Sequence, residues 1–172
     1  MAQAVVDRSP PSTAAYTSFS PRLAPSFIAT GALLAIAGGL GLWVRVTSLD
    51  AAGNFHQSQS LSGVARASGW FIAALGVAAA TAALIRFARA RWVMLGCSIA
   101  LVTLIALRIG ALSSLGSAMA FRAAAHAGTA FTAYHAGFGW GAWVMTVALV
   151  SLALGIVVSL LRWFDERKGY TS

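Results

Sequence analysis

The chain has 172 residues, of which 59% are hydrophobic and only 9% are charged. A soluble domain has about 25% charged residues, so this composition excludes an ordinary soluble domain and indicates an integral membrane protein. The net charge of +8 does not indicate a nucleic-acid partner, because most basic residues stand beside the ends of hydrophobic runs, where they set membrane topology.

The N-terminal segment, residues 1–25, contains all four prolines of the chain together with many Ser, Thr and Ala residues. Such a segment buries too little apolar surface to offset its conformational entropy, so we expect a disordered tail. Docking of residues 16–19 as a strand on a partner is the alternative. The first apolar run starts late and is longer than the core of a secretory signal, which predicts a retained span.

Four apolar runs follow, and each is long enough to cross the ~30 Å hydrocarbon core of a bilayer as a helix. The predicted spans cover about residues 27–46, 67–87, 92–112 and 137–161. All six tryptophans fall near the ends of these runs, as expected for indole rings at the membrane–water boundary. The predicted fold is an all-α membrane bundle of four helices over residues 26–163, with a C-terminal tail at 164–172.

The basic residues predict the orientation of this bundle. Eight of them lie before span one, in the tight RFARARW link between spans two and three, or after span four. The positive-inside rule therefore places both termini and this link in the cytoplasm, with the protein in the cell membrane. The two longer loops, about 47–66 and 113–136, then face outward. The second loop is rich in alanine, and we expect it to form a short helix on the membrane surface.

Four arginines fall on the outer side: Arg45, Arg66, Arg108 and Arg122. The only outer acidic residue is Asp50. In one interpretation Arg45 and Arg108, near the ends of their spans, extend their side chains toward water. In the other, the four arginines together bind an anionic lipid headgroup, a lipid-linked precursor or an acidic surface of a neighbouring subunit. The second is chemically plausible because guanidinium groups match phosphate and carboxylate geometry.

The three histidines of the chain, His56, His126 and His135, also fall on the outer side. Imidazole binds zinc, copper or haem iron, so these residues are weak candidates for a metal or haem site. His126 and His135 are nine residues apart, which would place them on opposite faces of a single helix. Histidines that bond to backbone or water are the simpler interpretation, and we predict no cofactor.

Within the predicted spans there is no Asp, Glu, Lys, His, Asn or Gln. Ion-coupled transporters need ionisable or amide groups at depth, and no nucleophile or general base can be nominated. We therefore expect neither a transporter nor an enzyme. Small residues at four-residue spacing predict close helix contacts. They are Gly31, Ala35 and Gly39 in span one, and Gly137 and Gly141 at the start of span four.

Short motifs at the ends of the predicted spans are similar to those of a known group of membrane proteins. Span one ends in LWVRV, SLSGVARASGW opens span two, and GFGWGAWVM opens span four. Over about residues 27–162 this resembles the small four-span membrane proteins of actinobacteria, including the tryptophan-operon-associated type. The resemblance implies a four-span fold and no catalytic role. Claudin-like proteins share the general plan, but the outer cysteine pair typical of claudins is absent here.

These observations predict a non-catalytic accessory subunit of a larger bacterial membrane complex. Its expected partners are membrane lipids and other integral membrane subunits, with no nucleic acid. Two alternatives stay open: binding of an anionic lipid or lipid-linked precursor by the outer arginines, and a haem- or metal-binding role for the outer histidines.

Overall fold

The computed structural model describes residues 22–50, 52–85, 88–127 and 133–168. The described residues form four α-helices and a small antiparallel sheet, joined in places by short turns. The elements are α1 (Leu23–Leu40), β1 (Leu42–Leu49), β2 (Phe55–Ser62), a 3-10 turn (Gly63–Ala65), α2 (Ala67–Leu84), α3 (Ala88–Ala127), β3 (Ala133–Phe138) and α4 (Trp140–Lys168). Most of the tail predicted for residues 1–25 lies outside the described residues, whereas the tail predicted from 164 begins as a continuation of α4.

The four helices are each long and apolar enough to cross a membrane. Helices α1 and α2 have 18 residues each, or about 27 Å at 1.5 Å per residue, close to the ~30 Å of a hydrocarbon core. The chain therefore has the helices of a multi-pass membrane protein, as the apolar runs predicted.

Both described ends of the chain lie at one end of the bundle, which we call the terminal end. One cavity of about 270 Å³ there is lined by residues from all four helices, including Ala24, Ala82, Arg91 and Arg162. Arg91 Nη1 donates a hydrogen bond to Glu166 Oε2 at 3.0 Å and so joins α3 to α4. The sheet lies at the opposite end, which we call the sheet end.

Small residues bring the helices close together. A Cβ added at Gly31 in α1 would lie 2.8 Å from Leu152 Cγ in α4, and one at Gly39 would lie 2.7 Å from Ile72 Cγ2 in α2. Ala35, between them on the same helix, is fully buried. Apolar side chains gain little by leaving lipid for one another, so close packing of this kind is what holds membrane helices together.

The sheet is the main departure from the all-α fold that the sequence predicts. Its strand order is β2-β1-β3, with β1 antiparallel to both neighbours. Helix α1 ends at Leu40 because Gly41 is extended, with φ −73° and ψ −174°. The residues LWVRV that were predicted to complete span one form β1 instead. Val44 and Val46 are buried whereas Arg45 is exposed, the alternation of a strand with one covered face.

Trp43 fixes the junction between α1 and the sheet. Only 1% of the residue is exposed, and its Nε1 donates to the carbonyl of Gly38 at 3.0 Å. The ring is therefore packed inside the protein, whereas the sequence pattern placed all six tryptophans at the membrane boundary.

Helix α3 is much longer than the span predicted for it. It has 40 residues, or about 60 Å, which is roughly twice the thickness of the hydrocarbon core. Leu112 lines a small cavity with Phe138 and Trp143, so it is level with the start of α4. Residues 113–127, which we call the α3 extension, continue past that level for about 22 Å. This extension packs beside the sheet, where a Cβ at Gly116 would lie 3.2 Å from the Cβ of Ala136. It replaces the separate surface helix that the sequence suggested.

Helix α4 begins at Trp140, later than predicted, so Gly137 belongs to β3. A Cβ at Gly137 would meet nothing within 4 Å, whereas one at Gly141 would lie 2.8 Å from the carbonyl carbon of Gly41. The two glycines therefore do not form one helical stripe. Of the two, Gly141 makes the close helix contact, since its added Cβ would also lie 2.9 Å from the carbonyl oxygen of Gly38 in α1.

Candidate functional site

The four outer arginines do not form a single cluster. Arg45 lies on the exposed face of β1, opposite Ser60 and Gly137 in the register. Arg108 and Arg122 both belong to α3, but the 14 residues between them correspond to about 21 Å along the helix. Arg66, at the start of α2, shares a cavity with Arg108.

That cavity, which we call the Arg66–Arg108 cavity, has a volume of about 260 Å³. It lies where the first turn of α2 meets β1, β2 and the middle of α3. Its lining residues are Trp43, Leu61, Arg66, Ala67, Ser68, Arg108 and Leu115. Because Arg108 shares it with the first residues of α2, the cavity lies at the level where the helices end and the sheet begins.

No hydrogen bond or ion pair joins the guanidinium group of Arg66 or of Arg108 to another residue in the described ranges. Asp50, the one acidic residue at the sheet end among those in the described ranges, lies at the tip of the β1–β2 hairpin. Two arginines therefore line the cavity, and no acidic residue of the described ranges lines it.

Asp50 is engaged in the hairpin turn. Its Oδ1 accepts the backbone N–H groups of Ala52 at 2.9 Å and Asn54 at 2.8 Å, and its Oδ2 lies 3.0 Å from His56 Nε2. The pKa of Asp50 is lowered to about 2. The largest cause is the hydrogen bond from the backbone N–H of Asn54, and the next largest is the hydrogen bond with the His56 side chain. Gly53 completes the turn with φ +83°, a conformation that glycine adopts without strain. Asp50 and His56 thus stabilise the hairpin.

The three histidines are dispersed. His56 is at the hairpin tip, His135 is on β3, and His126 is near the end of α3 with its Nδ1 2.8 Å from the carbonyl oxygen of Arg122. Among the described residues no group of three or more His, Cys, Asp or Glu side chains could hold a metal ion. The three-histidine site considered from the sequence is therefore not assembled in the described ranges.

The sheet end also exposes large apolar side chains that the sequence analysis did not single out. Phe121 on the α3 extension is 77% exposed, and Phe55 at the hairpin tip is 75% exposed. Ala118 and Ala125 lie on the same exposed face of the extension as Phe121. The sequence signal was the spacing 118, 121, 125, which places small residues around one aromatic ring on a helix face.

No protein-family model matches this chain, and no curated protein or solved structure matches it either. The resemblance noted in the sequence therefore stays an expectation.

Proposed function

We propose that this protein is a non-catalytic accessory subunit of a larger bacterial membrane complex. In this proposal the terminal end lies in the cytoplasm, and the sheet with the α3 extension stands outside the cell membrane. The concentration of basic residues near the terminal end supports this orientation through the positive-inside rule. The non-catalytic role is inferred from the sequence, whose spans carry no Asp, Glu, Lys or His.

The observation that carries the proposal is the exposed apolar face of the α3 extension. Phe121 lies nine residues beyond Leu112, or about 13 Å past the level at which the other helices end. In the proposed orientation this height places the ring beyond the acyl chains of the membrane. A contiguous apolar surface in water marks an interaction site, and the small side chains of Ala118 and Ala125 let another backbone approach the ring closely.

The charges beside this face indicate the kind of partner. Arg122 is exposed next to Phe121, while Asp50 is committed to the hairpin turn some distance away. Complementary charge favours association and suppresses wrong partners. The partner that fits is the outer domain of another integral membrane protein, with an acidic surface around an apolar groove.

Site-specific cross-linking tests this proposal. A photoreactive phenylalanine analogue at position 121 is expected to form a covalent adduct with one membrane protein, through a peptide of its outer domain identified by mass spectrometry. The same analogue at Val147, an exposed lipid-facing position of α4, is the matched control and should not give that adduct.

A second measurement uses native gels after extraction in mild detergent. Phe121→Asp should release the partner from the complex, because it places a carboxylate where an apolar ring was buried, against an acidic surface. If the chain migrates alone and position 121 gives only lipid adducts, the proposed role is wrong.

A further inference from the structure

The Arg66–Arg108 cavity has the features of an anion site, and its first feature is uncompensated positive charge. Two arginines from separate elements, Arg66 at the start of α2 and Arg108 in the middle of α3, line one cavity of about 260 Å³. Within the described ranges no acidic side chain enters it. Like charges held around a partly enclosed space repel each other, and an anion bound between them removes that repulsion.

The second feature is the direction of α2. This helix has 18 residues, and its N-terminal residue Ala67 lines the cavity together with Ser68. Arg66 occupies the N-cap position and makes no side-chain capping bond. The first backbone N–H groups of a helix have no partner within it and carry the positive end of the helix dipole. Backbone amides at helix N-termini bind phosphate for this reason.

The third feature, independent of charge, is Ser68. Only 8% of this residue is exposed, and no described residue forms a hydrogen bond with its hydroxyl group. Ser98, which is buried in α3, instead donates to the carbonyl oxygen of Met94 at 2.7 Å. The hydroxyl group of Ser68 keeps some accessible surface and lines the cavity. It can therefore donate a hydrogen bond to a ligand there, whereas the hydroxyl group of Ser98 is already bonded to backbone.

We propose that the Arg66–Arg108 cavity binds a phosphate group. The Arg66 and Arg108 guanidinium groups, the Ser68 hydroxyl group and the backbone amides of Ala67 and Ser68 supply its donors, since the amide of Gly69 already donates to the carbonyl of Arg66. This site goes beyond the accessory role and does not depend on it. Guanidinium pairs with phosphate through charge-assisted, often bidentate hydrogen bonds.

The size and position of the cavity narrow the ligand to a phosphate ester with a small polar group. Pockets for drug-sized ligands have volumes of about 300–1,000 Å³, so 260 Å³ accommodates a headgroup and not a whole lipid. Trp43, Leu61 and Leu115 line the remainder with apolar surface. At the level where the helices end, the phosphate can come from a lipid headgroup or from a soluble ester.

The test measures binding of two probes to the purified full-length chain in detergent. Phosphatidylglycerol binding is followed by native mass spectrometry, with zwitterionic phosphatidylcholine as the reference lipid, and glycerol phosphate binding is followed by calorimetry. Binding of the lipid alone identifies a membrane headgroup, and comparable binding of the soluble ester identifies a free phosphate ester. Either result supports the site, and binding of neither probe overturns it.

Substitutions then assign the binding to this cavity. Arg66→Gln and Arg108→Gln should each weaken the affinity roughly tenfold or more, the loss expected when a charge-assisted bond is removed. Ser68→Ala tests the neutral donor and should weaken binding by a smaller factor. Arg45→Gln removes an outer positive charge away from the cavity and is the matched control, expected to bind as the unmodified chain does.

Circular dichroism and gel filtration establish that each variant is folded. Arg66 is exposed, so its substitution tests the site even if Arg108→Gln does not fold. Equal affinities for Arg66→Gln and Arg45→Gln would show that general positive charge, and not this cavity, attracts the ligand, and would overturn the proposal.

Discussion

Gly31→Ala should destabilise the bundle, because the added methyl group has no room between α1 and α4. Its Cβ would lie 2.8 Å from Leu152 Cγ, 3.0 Å from the backbone nitrogen of Leu152 and 3.1 Å from the carbonyl oxygen of Ala148. The side-chain contact could be relieved by rotating Leu152. The two backbone contacts can be relieved only by moving α1 away from α4.

Overpacking of this kind costs about 1–3 kcal/mol. For a protein of this length each kcal/mol corresponds to roughly 2–4 °C in Tm, so the expected decrease is between about 2 and 12 °C. Thermal unfolding of the detergent-solubilised chain, followed by tryptophan fluorescence, measures it. The matched control is Gly110→Ala in α3, where an added Cβ meets nothing within 4 Å. Equal melting temperatures for the two variants would show that α1 and α4 do not pack as described.

Three further predictions concern the sheet end and the terminal end. Trp43→Phe removes the buried hydrogen bond to the carbonyl of Gly38 and should cost about 1–3 kcal/mol in the same melting experiment; an unchanged Tm would contradict the buried position of this ring. The lowered pKa of Asp50, about 2, means that its contribution to hairpin stability is complete above its unfolded pKa near 4 and disappears as the pH falls toward 2. The protection factors of the hairpin amides, which correct hydrogen exchange for its intrinsic pH dependence, should therefore decrease over that range. Asp50→Asn should abolish this decrease while leaving the protection of the helices unchanged. Glu166→Gln breaks the ion pair with Arg91. Because both groups are partly exposed, the free energy of unfolding should decrease by at most about 1 kcal/mol, and by less in high salt. A larger decrease that does not depend on salt would contradict this prediction.

The sequence predicts the helices well because the signal for a membrane helix is local. About 20 apolar residues without charges are sufficient, and all four helices lie where such runs occur. The strand LWVRVTSL is the element that the sequence analysis assigned wrongly, because its first residues were predicted to complete span one. Its first residues are as apolar as those of α1, so composition does not separate the two elements. What ends the helix is the extended backbone of Gly41 and the pairing of β1 with β2 and β3, which are distant in sequence.

The candidate sites show the same limit. The four outer arginines could be identified from the sequence, but not which of them share a cavity. Arg66 and Arg108 come together only because α2 packs on α3 with its first turn level with the middle of that helix. Ser68 carried no sequence signal, since a serine at the start of a helix is common and its burial depends on tertiary packing. Phe121 is exposed because α3 continues without a break past residue 112, where the sequence analysis ended the third span.

The direct joining of the sheet to the helices has a mechanical consequence. Gly41 is the single residue between α1 and β1, and Gly139 is the single residue between β3 and α4. The backbone N–H of Gly63 donates to the carbonyl of Gly41, and that of Gly139 donates to the carbonyl of Trp43, both at 2.8 Å. These short, hydrogen-bonded connections restrict rotation of the sheet relative to α1 and α4. A displacement of β1, for example on binding of a partner, would therefore move α1 with it. A displacement of β3 would likewise move α4.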